Sequence, residues 1–260
     1  MVLINGMEAD SVSVHDRGFL YGDGVFRTFR FENGIPLHWD LQYAKLSSDC
    51  NALGIDCPPE SRFREDLEKF GIGNFVVKII VTRGIGARGF LPEEGMVANR
   101  LVMTSPLPEN PKREIVARLC DLRLSHQPRL AGIKHLNRLE NVLARSEWRD
   151  PGISEGILLD LEGNVIEGTM SSLFFFRNGR LHAPDLSRCG VSGVQRKRVL
   201  EIGRRNGIET VTGHFGIELL MDADEIFLVN SVIGLWQVRR FEGIDWDKGQ
   251  MSAKFREWLQ

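Results

Sequence analysis

Leu130-Ala-Gly-Ile-Lys134-His-Leu-Asn-Arg-Leu-Glu140-Asn-Val-Leu-Ala-Arg145 is the most informative stretch of the chain. Leu136, Leu139, Val142 and Leu143 repeat at helical spacing and predict a helix with one apolar face, leaving Lys134 just ahead of it. Gly132 permits a tight backbone approach at that point, so Lys134 can reach into a cleft. Beside His135 and Arg138 and out of water, its ammonium pKa falls, giving the neutral amine that Schiff-base chemistry needs. Taken alone the signal is weak, because an arbitrary lysine at a helix start is usually a solvated one.

Working outward, Asp160-Leu-Glu-Gly-Asn-Val-Ile-Glu167-Gly-Thr-Met-Ser-Ser-Leu-Phe-Phe reads as two apolar strands joined at Glu162-Gly163-Asn164. It carries Glu167 into an apolar setting, where a carboxylate requires a partner: a protonated ring nitrogen of a cofactor, or, more commonly, an internal Arg or Lys. Cys189-Gly-Val-Ser-Gly-Val-Gln-Arg196 puts two glycines and a serine ahead of a helix predicted over 193–206. That is either an anion site built from helix N-H groups or an ordinary capped helix, and it lacks the GxxxxGK[ST] spacing of a nucleotide P-loop. Asp16-Arg-Gly-Phe-Leu-Tyr-Gly-Asp-Gly-Val-Phe-Arg-Thr-Phe-Arg30 runs into a strand whose alternation sends Phe26, Thr28 and Arg30 to one face and Arg27 and Phe29 to the other. The mixed face is a pocket wall or the solvated side of an antiparallel strand.

Further strands are predicted at 2–4, 25–31, 75–82, 100–104, 115–120, 156–161, 173–176 and 225–229, and helices near 40–53, 60–70, 137–149, 193–206 and from Asp245 to Gln260. Strands and helices therefore alternate in a mixed α/β chain. The proline-rich segment TSPLPENPKRE sets a boundary: a small N-terminal α/β domain at 1–105, a connector at 106–115, and a larger C-terminal α/β domain at 116–260 carrying Lys134.

The 260 residues hold 33 Lys and Arg against 35 Asp and Glu, 42% hydrophobic residues and a net charge of -2. Such a chain is globular, with no global attraction to nucleic acid or anionic membranes. No basic start followed by an apolar run, and no long apolar tract, points to a targeting or membrane segment. The four cysteines lack a zinc spacing, and the six histidines show neither HxxxH nor HxH, so no metal is expected. Reduced thiols and the absent leader place the protein in the cytoplasm.

Jointly, in this order and at these separations, the four segments resemble the fold-type IV pyridoxal-phosphate enzymes, which include branched-chain and D-amino acid aminotransferases and 4-amino-4-deoxychorismate lyases. The resemblance spans most of the chain, and GIKHLNRLE and the length are more similar to the lyase branch. It implies a two-domain, D-amino acid aminotransferase-like fold, pyridoxal 5'-phosphate as cofactor, a small-molecule substrate, a homodimer, and release of pyruvate from aminodeoxychorismate to leave 4-aminobenzoate for folate. Amino transfer from D- or branched-chain amino acids is the alternative it leaves.

Carried over residue by residue, the resemblance implies that Lys134 holds the cofactor and moves the proton, and that Glu167 pairs with the ring nitrogen. Val194 and Gln195, with Ser231, hold phosphate; Lys45 stands where family members place an arginine. Arg30, Arg88, Tyr21 and Phe26 face substrate, and Thr28 contacts the leaving enolpyruvate. Phe90 occupies a position commonly tyrosine in the lyases, and Ser172 one that is commonly asparagine.

Overall fold

Phe75-Val-Val-Lys-Ile-Ile-Val-Thr82 is rich in β-branched residues, and it forms the central strand of the first of two compact units in the computed structural model, which describes residues 1–108 and 113–260. The first unit comprises Met1–Glu109 with Ile133–Asn137; the second, Asn110–Gly132 with Arg138–Gln260.

In the first unit the elements are β1 (Val2–Ile4), β2 (Met7–Glu8), α1 (Arg17–Tyr21), β3 (Gly24–Glu32), β4 (Ile35–Pro36), α2 (Trp39–Ala52), α3 (Glu60–Glu68), β5 (Phe75–Thr82) and β6 (Asn99–Ser105). The strands form an antiparallel sheet in the order β2-β1-β6-β5-β3-β4. Burial along β3 alternates as its sequence predicts: Val25, Phe29 and Phe31 are buried in a core shared with Trp39 and Leu46 of α2 and Phe63 of α3, while Phe26, Thr28 and Arg30 are half-buried on the opposite face. Each fully buried side chain of that size contributes about 1.5–3 kcal/mol.

The Lys134 segment packs on this first unit instead of the C-terminal one in which the sequence boundary put it. Its backbone explains why: Phe26 N-H donates to the Lys134 carbonyl at 2.9 Å, Leu136 N-H donates to the Gly24 carbonyl at 2.9 Å, and Val25 bridges His135. Of the connector expected over 106–115, residues 109–112 lie outside the described residues, and strand pairing has resumed by Glu114.

The second unit contains β7 (Glu114–Leu124), α4 (Leu139–Arg145), β8 (Ile153–Asp160), β9 (Val165–Gly168), β10 (Ser172–Arg177), β11 (Arg180–Pro184), α5 (Val194–Arg205), β12 (Thr210–Gly213), α6 (Ile217–Met221), β13 (Glu225–Asn230), β14 (Gly234–Phe241), β15 (Ile244–Asp245) and α7 (Gln250–Trp258). Its strand order is β12-β11-β10-β13-β14-β7-β8-β9, and β9 also pairs with β10 at Glu167 and Ser172. The path from β10 to β9 thus closes on itself as a barrel. Leu173 and Phe175 pack to one side of β10 against Ile226, Leu228 and Val238, and Phe174 and Phe176 pack to the other with Val199 of α5 and Phe255 of α7. Covered on both faces, β10 is a continuous apolar run.

Two expectations change here. The helix predicted over 137–149 spans only Leu139–Arg145, and its apolar face is not in the core: Leu139, Val142 and Leu143 are 75%, 56% and 60% exposed. Ala144, the residue after them, is the buried one, packed with Trp148 and Leu158. No helix among the described residues is long and apolar enough to cross a membrane.

Candidate active site

Lys134 is half-buried in the first unit, and three contacts fix it. Its carbonyl is bound by Phe26, its N-H donates to Asp49 Oδ2 at 3.2 Å, and its Nζ stands 4.6 Å from the centroid of the Phe26 ring. Lys78 Nζ lies 5.2 Å from the same ring, so one aromatic face attracts two ammonium groups. Phe26, Thr28 and Lys78 are in register across β3 and β5, Thr28 lying directly opposite Lys78.

Asp49 is the residue that sequence reasoning missed. It is buried at the end of α2, and besides the Lys134 N-H it accepts from Arg27 Nη2 at 2.6 Å and from Lys45 Nζ. Lys45 and Asp49 are one helical turn apart, a spacing visible in the sequence. Arg27 lies on the buried side of β3, and its alternation places it there, but nothing local names its partner. Burial, together with the Arg27 charge, pulls the Lys45 ammonium below its usual range, although Asp49 pulls the other way.

Of the residues assigned to substrate, Tyr21 takes a hydrogen bond from Gly89 N-H at 3.1 Å and packs 5.5 Å from the Phe90 ring. Arg17 fastens the same loop through the Gly89 and Phe90 carbonyls, both at 2.8 Å. Arg88 is exposed on that loop and Phe90 is 86% exposed. Arg30 is paired with Glu32 at 2.6 Å, both about one-third exposed, so an incoming carboxylate competes with Glu32 for it.

The second unit groups the other candidates. Glu167 is buried on β9, its Oε2 accepting from Val191 N-H at 2.9 Å. Gly190 holds φ of +82°, and a Cβ there meets Ile166 Cγ2 at 2.7 Å and Leu186 Cδ2 at 2.9 Å, so the loop approaches β9 as only glycine allows. The turn after Glu167 is organised by Glu155, a second residue missed from sequence. Glu155 is completely buried and accepts from Thr169 N-H and Oγ1, Ser171 Oγ, and the N-H groups of Gly156 and Met170. Burial pushes its carboxyl up, while those hydrogen bonds hold it down.

Val194 and Gln195 open α5, which has Gly193 as N-cap and no side-chain cap. The leading N-H groups of a helix have no intrahelical carbonyl to meet, and with the helix dipole they suit a phosphate. Ser231 follows β13 in a turn shaped by Asn230, whose Oδ1 accepts from Val232 and Ile233 N-H at 2.8 and 2.9 Å. The donor set in this unit, a buried carboxylate and an uncapped helix start flanked by glycines, fits a phosphorylated cofactor with a basic ring nitrogen. In the first unit, Lys134 offers a primary amine, the group that condenses with an aldehyde. Among the described residues there is no cluster of metal-ligating side chains.

The profile described as amino-transferase class IV matches residues 24–241. An aminodeoxychorismate lyase from Vibrio harveyi is 31% identical, over 98% of each chain, and one from Bacillus subtilis is 29% identical, over all of this chain and 92% of the relative. The crystal structure of a 4-amino-4-deoxychorismate lyase from Pseudomonas aeruginosa superposes with a TM-score of 0.95 at 39% identity, covering 100% of this chain and 98% of that one. The strand order, the closed β10-to-β9 path and these matches along nearly the whole length lead to one assignment: the chain belongs to the amino-transferase class IV family, with the mixed α/β architecture of the fold-type IV enzymes.

Proposed function

We propose that this protein is a pyridoxal 5'-phosphate-dependent carbon-oxygen lyase that converts 4-amino-4-deoxychorismate into 4-aminobenzoate and pyruvate, a step in folate biosynthesis. The observation that carries the reading is the setting of Lys134, whose backbone is clamped by Phe26 and Asp49 while its amine stands over an aromatic ring. Similarity to lyases along the whole chain selects elimination over amino transfer within the family.

When bound, pyridoxal phosphate supplies a conjugated ring that accepts an electron pair from the substrate's amine-bearing carbon. Lys134 Nζ takes the proton from that carbon and later returns one. Glu167 holds a proton at the ring nitrogen, an anionic partner for a cationic ring. Lys45 and the N-H groups of Val194 and Gln195, with Ser231, hold the phosphate. Lys45 is a point charge where a guanidinium offers a two-pronged grip, so salt weakens this contact more than it weakens an arginine's. Arg30 and Arg88 meet the substrate carboxylates, Tyr21 and Phe26 wall the ring, and Thr28 contacts the enolpyruvate oxygen. Loss of enolpyruvate makes the ring aromatic, a downhill step.

The remaining assignments belong to the same proposal. A second copy of the chain covers the exposed apolar face of α4, which Asn141 ties to the Thr169 carbonyl at 2.9 Å beside half-exposed Met170; light scattering reads a homodimer or a monomer. Four cysteines, none in a disulfide, support a cytoplasmic location.

The test is incubation of the cofactor-loaded protein with aminodeoxychorismate and no keto acid. Pyruvate and 4-aminobenzoate are expected in equal amounts. Absence of both, with keto-acid-dependent amino transfer from D-alanine or leucine, overturns the lyase reading and leaves the family assignment in place.

A further inference from the structure

The chain between β5 and β6, residues 83–98, is rich in glycine and exposed along its outer half, where Phe90, Leu91 and Val97 all face solvent. Backbone fixes its first turn: Arg17 N-H donates to the Gly84 carbonyl at 2.9 Å, and Asp16 and Ile85 form an isolated antiparallel bridge. Further along, two side chains of α1 take over. Arg17 donates from Nη1 to the Gly89 carbonyl and from Nη2 to the Phe90 carbonyl, each at 2.8 Å. The Tyr21 hydroxyl accepts from Gly89 N-H at 3.1 Å, and its ring packs 5.5 Å from that of Phe90. Gly89 holds φ of +131°, a backbone region that side chains disfavour.

Arg17 is itself held on every side. Its side chain is 4% exposed, its Nε donates to Asp23 Oδ2 at 2.9 Å, and its Cζ stands 4.9 Å from the centroid of the Tyr21 ring. Asp23 is fixed in turn by Arg83, from Nε to Oδ2 at 2.8 Å and from Nη2 to Oδ1 at 3.0 Å. With its charge matched by Asp23 and its fork engaged by two consecutive carbonyls, the Arg17 guanidinium acts on the loop. The residue just before those carbonyls is Arg88, whose side chain is exposed. The Arg88–Gly89 peptide is thus pinned at its N-H by Tyr21 and, from the next carbonyl on, by Arg17.

We infer that Arg17 is a positioning residue for recognition of the substrate carboxylate: it latches the loop so that Arg88 is presented in one place, and the Tyr21 hydroxyl is the second point of the latch. The inference deepens the lyase reading, in which Arg88 meets a substrate carboxylate. A fork that meets two carbonyls does not transfer to lysine, a single point of charge on a flexible stem. Loss of the latch lowers the fraction of molecules whose loop is set to bind, and apparent affinity falls by that fraction. The proton transfers at Lys134 do not involve the loop, so KM rises while kcat holds.

The experiment uses the full-length, cofactor-loaded protein in two arms. In the first, native-state trypsin digestion is read by mass spectrometry at the Arg88–Gly89 bond, which meets the protease when the loop is released. In Arg17→Met and Arg17→Lys, cleavage there is expected to speed up about tenfold, the worth of one hydrogen bond to a charged group, with the other tryptic sites unchanged. Tyr21→Phe keeps the ring and is expected to show the same site-specific change to a smaller degree, which covers the case of an Arg17 variant that does not fold. In the second arm, with aminodeoxychorismate, both Arg17 variants are expected to raise KM about tenfold and to hold kcat within about twofold. Added to Arg88→Ala, Arg17→Met is expected to leave KM where Arg88→Ala put it, because the two changes remove one contact. Cleavage after Arg88 that is unchanged, or that rises only together with every other site, overturns the inference. So does a released loop with KM unchanged, or a further rise in KM when Arg17→Met joins Arg88→Ala. A wild type that transfers amino groups and releases no pyruvate overturns the lyase reading instead; the KM arm is then read on its amino acid, also a carboxylate, and the trypsin arm needs no substrate.

Discussion

Replacing Asp49 with Ala removes the one carboxylate that Arg27, Lys45 and the Lys134 backbone share. The Arg27 and Asp49 side chains are 3% and 2% exposed, so the substitution takes from a buried guanidinium the carboxylate to which it donates at 2.6 Å. Breaking a buried pair from one side costs about 3–5 kcal/mol, far more than the pair contributes as a net gain. Lys45 is 22% exposed and can turn toward water, so its loss of a partner adds less than about 1 kcal/mol. At about 2–4 °C per kcal/mol for a chain of this size, thermal unfolding followed by circular dichroism falls by roughly 6–20 °C. If the cause is the stranded charge, Arg27→Met combined with Asp49→Leu recovers most of the loss, because an apolar pair of similar volume needs no desolvation. A single-variant shift below about 3 °C, under the cost of a broken buried pair, refutes the reasoning. So does a double variant as unstable as Asp49→Ala.

Asp23 gives a pH signature: burial pushes its carboxyl up, but hydrogen bonds and charge from Arg83 and Arg17 outweigh this and hold it below the usual carboxylate range. The folded protein then binds fewer protons than the unfolded chain, so this contribution is complete above the ordinary carboxylate pKa of about 4 and is lost as pH falls through the lower folded value. Asp23→Asn should therefore be less stable at neutral pH and converge with the wild type in acid; a constant gap across denaturant titrations at both pH values contradicts it. Gly190→Ala puts a side chain at φ of +82° against Ile166 and Leu186, at a strain of about 1–3 kcal/mol, and by moving the Val191 N-H from Glu167 weakens cofactor binding, read by equilibrium dialysis. Unaltered affinity there separates Gly190 from the site. Lys134→Ala is expected to lose the visible absorbance of the bound cofactor and nearly all turnover, whereas Glu167→Gln keeps the cofactor and slows turnover; the reverse pattern exchanges their roles.

Much of the architecture follows from local patterning, and its departures have physical causes. The alternation in Phe26–Phe31 and the β-branched run of Phe75–Thr82 read directly as strands, and Asn206-Gly207 marks the end of α5, with Gly207 at φ of +69°. The strand β9 follows the turn at Glu162-Gly163-Asn164 as the sequence predicts, whereas the short strand β11 and the parallel partner β14 are not expected from sequence. Two to five residues carry little period, and pairing between Glu114 and Gln237 depends on chain brought in from far away. Leu139, Val142 and Leu143 show the converse. A helical apolar stripe reveals that a face avoids water, not which surface covers it. Lys134 is marked by its place after a glycine and ahead of a helix, Glu167 by the turn that carries a carboxylate into an apolar segment, and Lys45 only by the resemblance of its helix to that of family members. Asp49 and Glu155 escaped notice, since a buried carboxylate is recognised by its donors, and those lie up to 85 residues away in the chain.

The five residues Ile133–Asn137 belong with the first unit although the chain on either side of them belongs with the second. This has a consequence for biosynthesis. Domains commonly fold in order of emergence, at about 5–20 residues per second of synthesis. When residue 108 has left the ribosome, the Gly24 carbonyl and Phe26 N-H still await Leu136 and Lys134, and Asp49 holds two cations without the backbone N-H it later accepts. A nascent first unit is therefore finished by the segment that carries Lys134, and a stalled or proteolysed N-terminal fragment carries exposed, unmatched polar groups that mark it as incomplete.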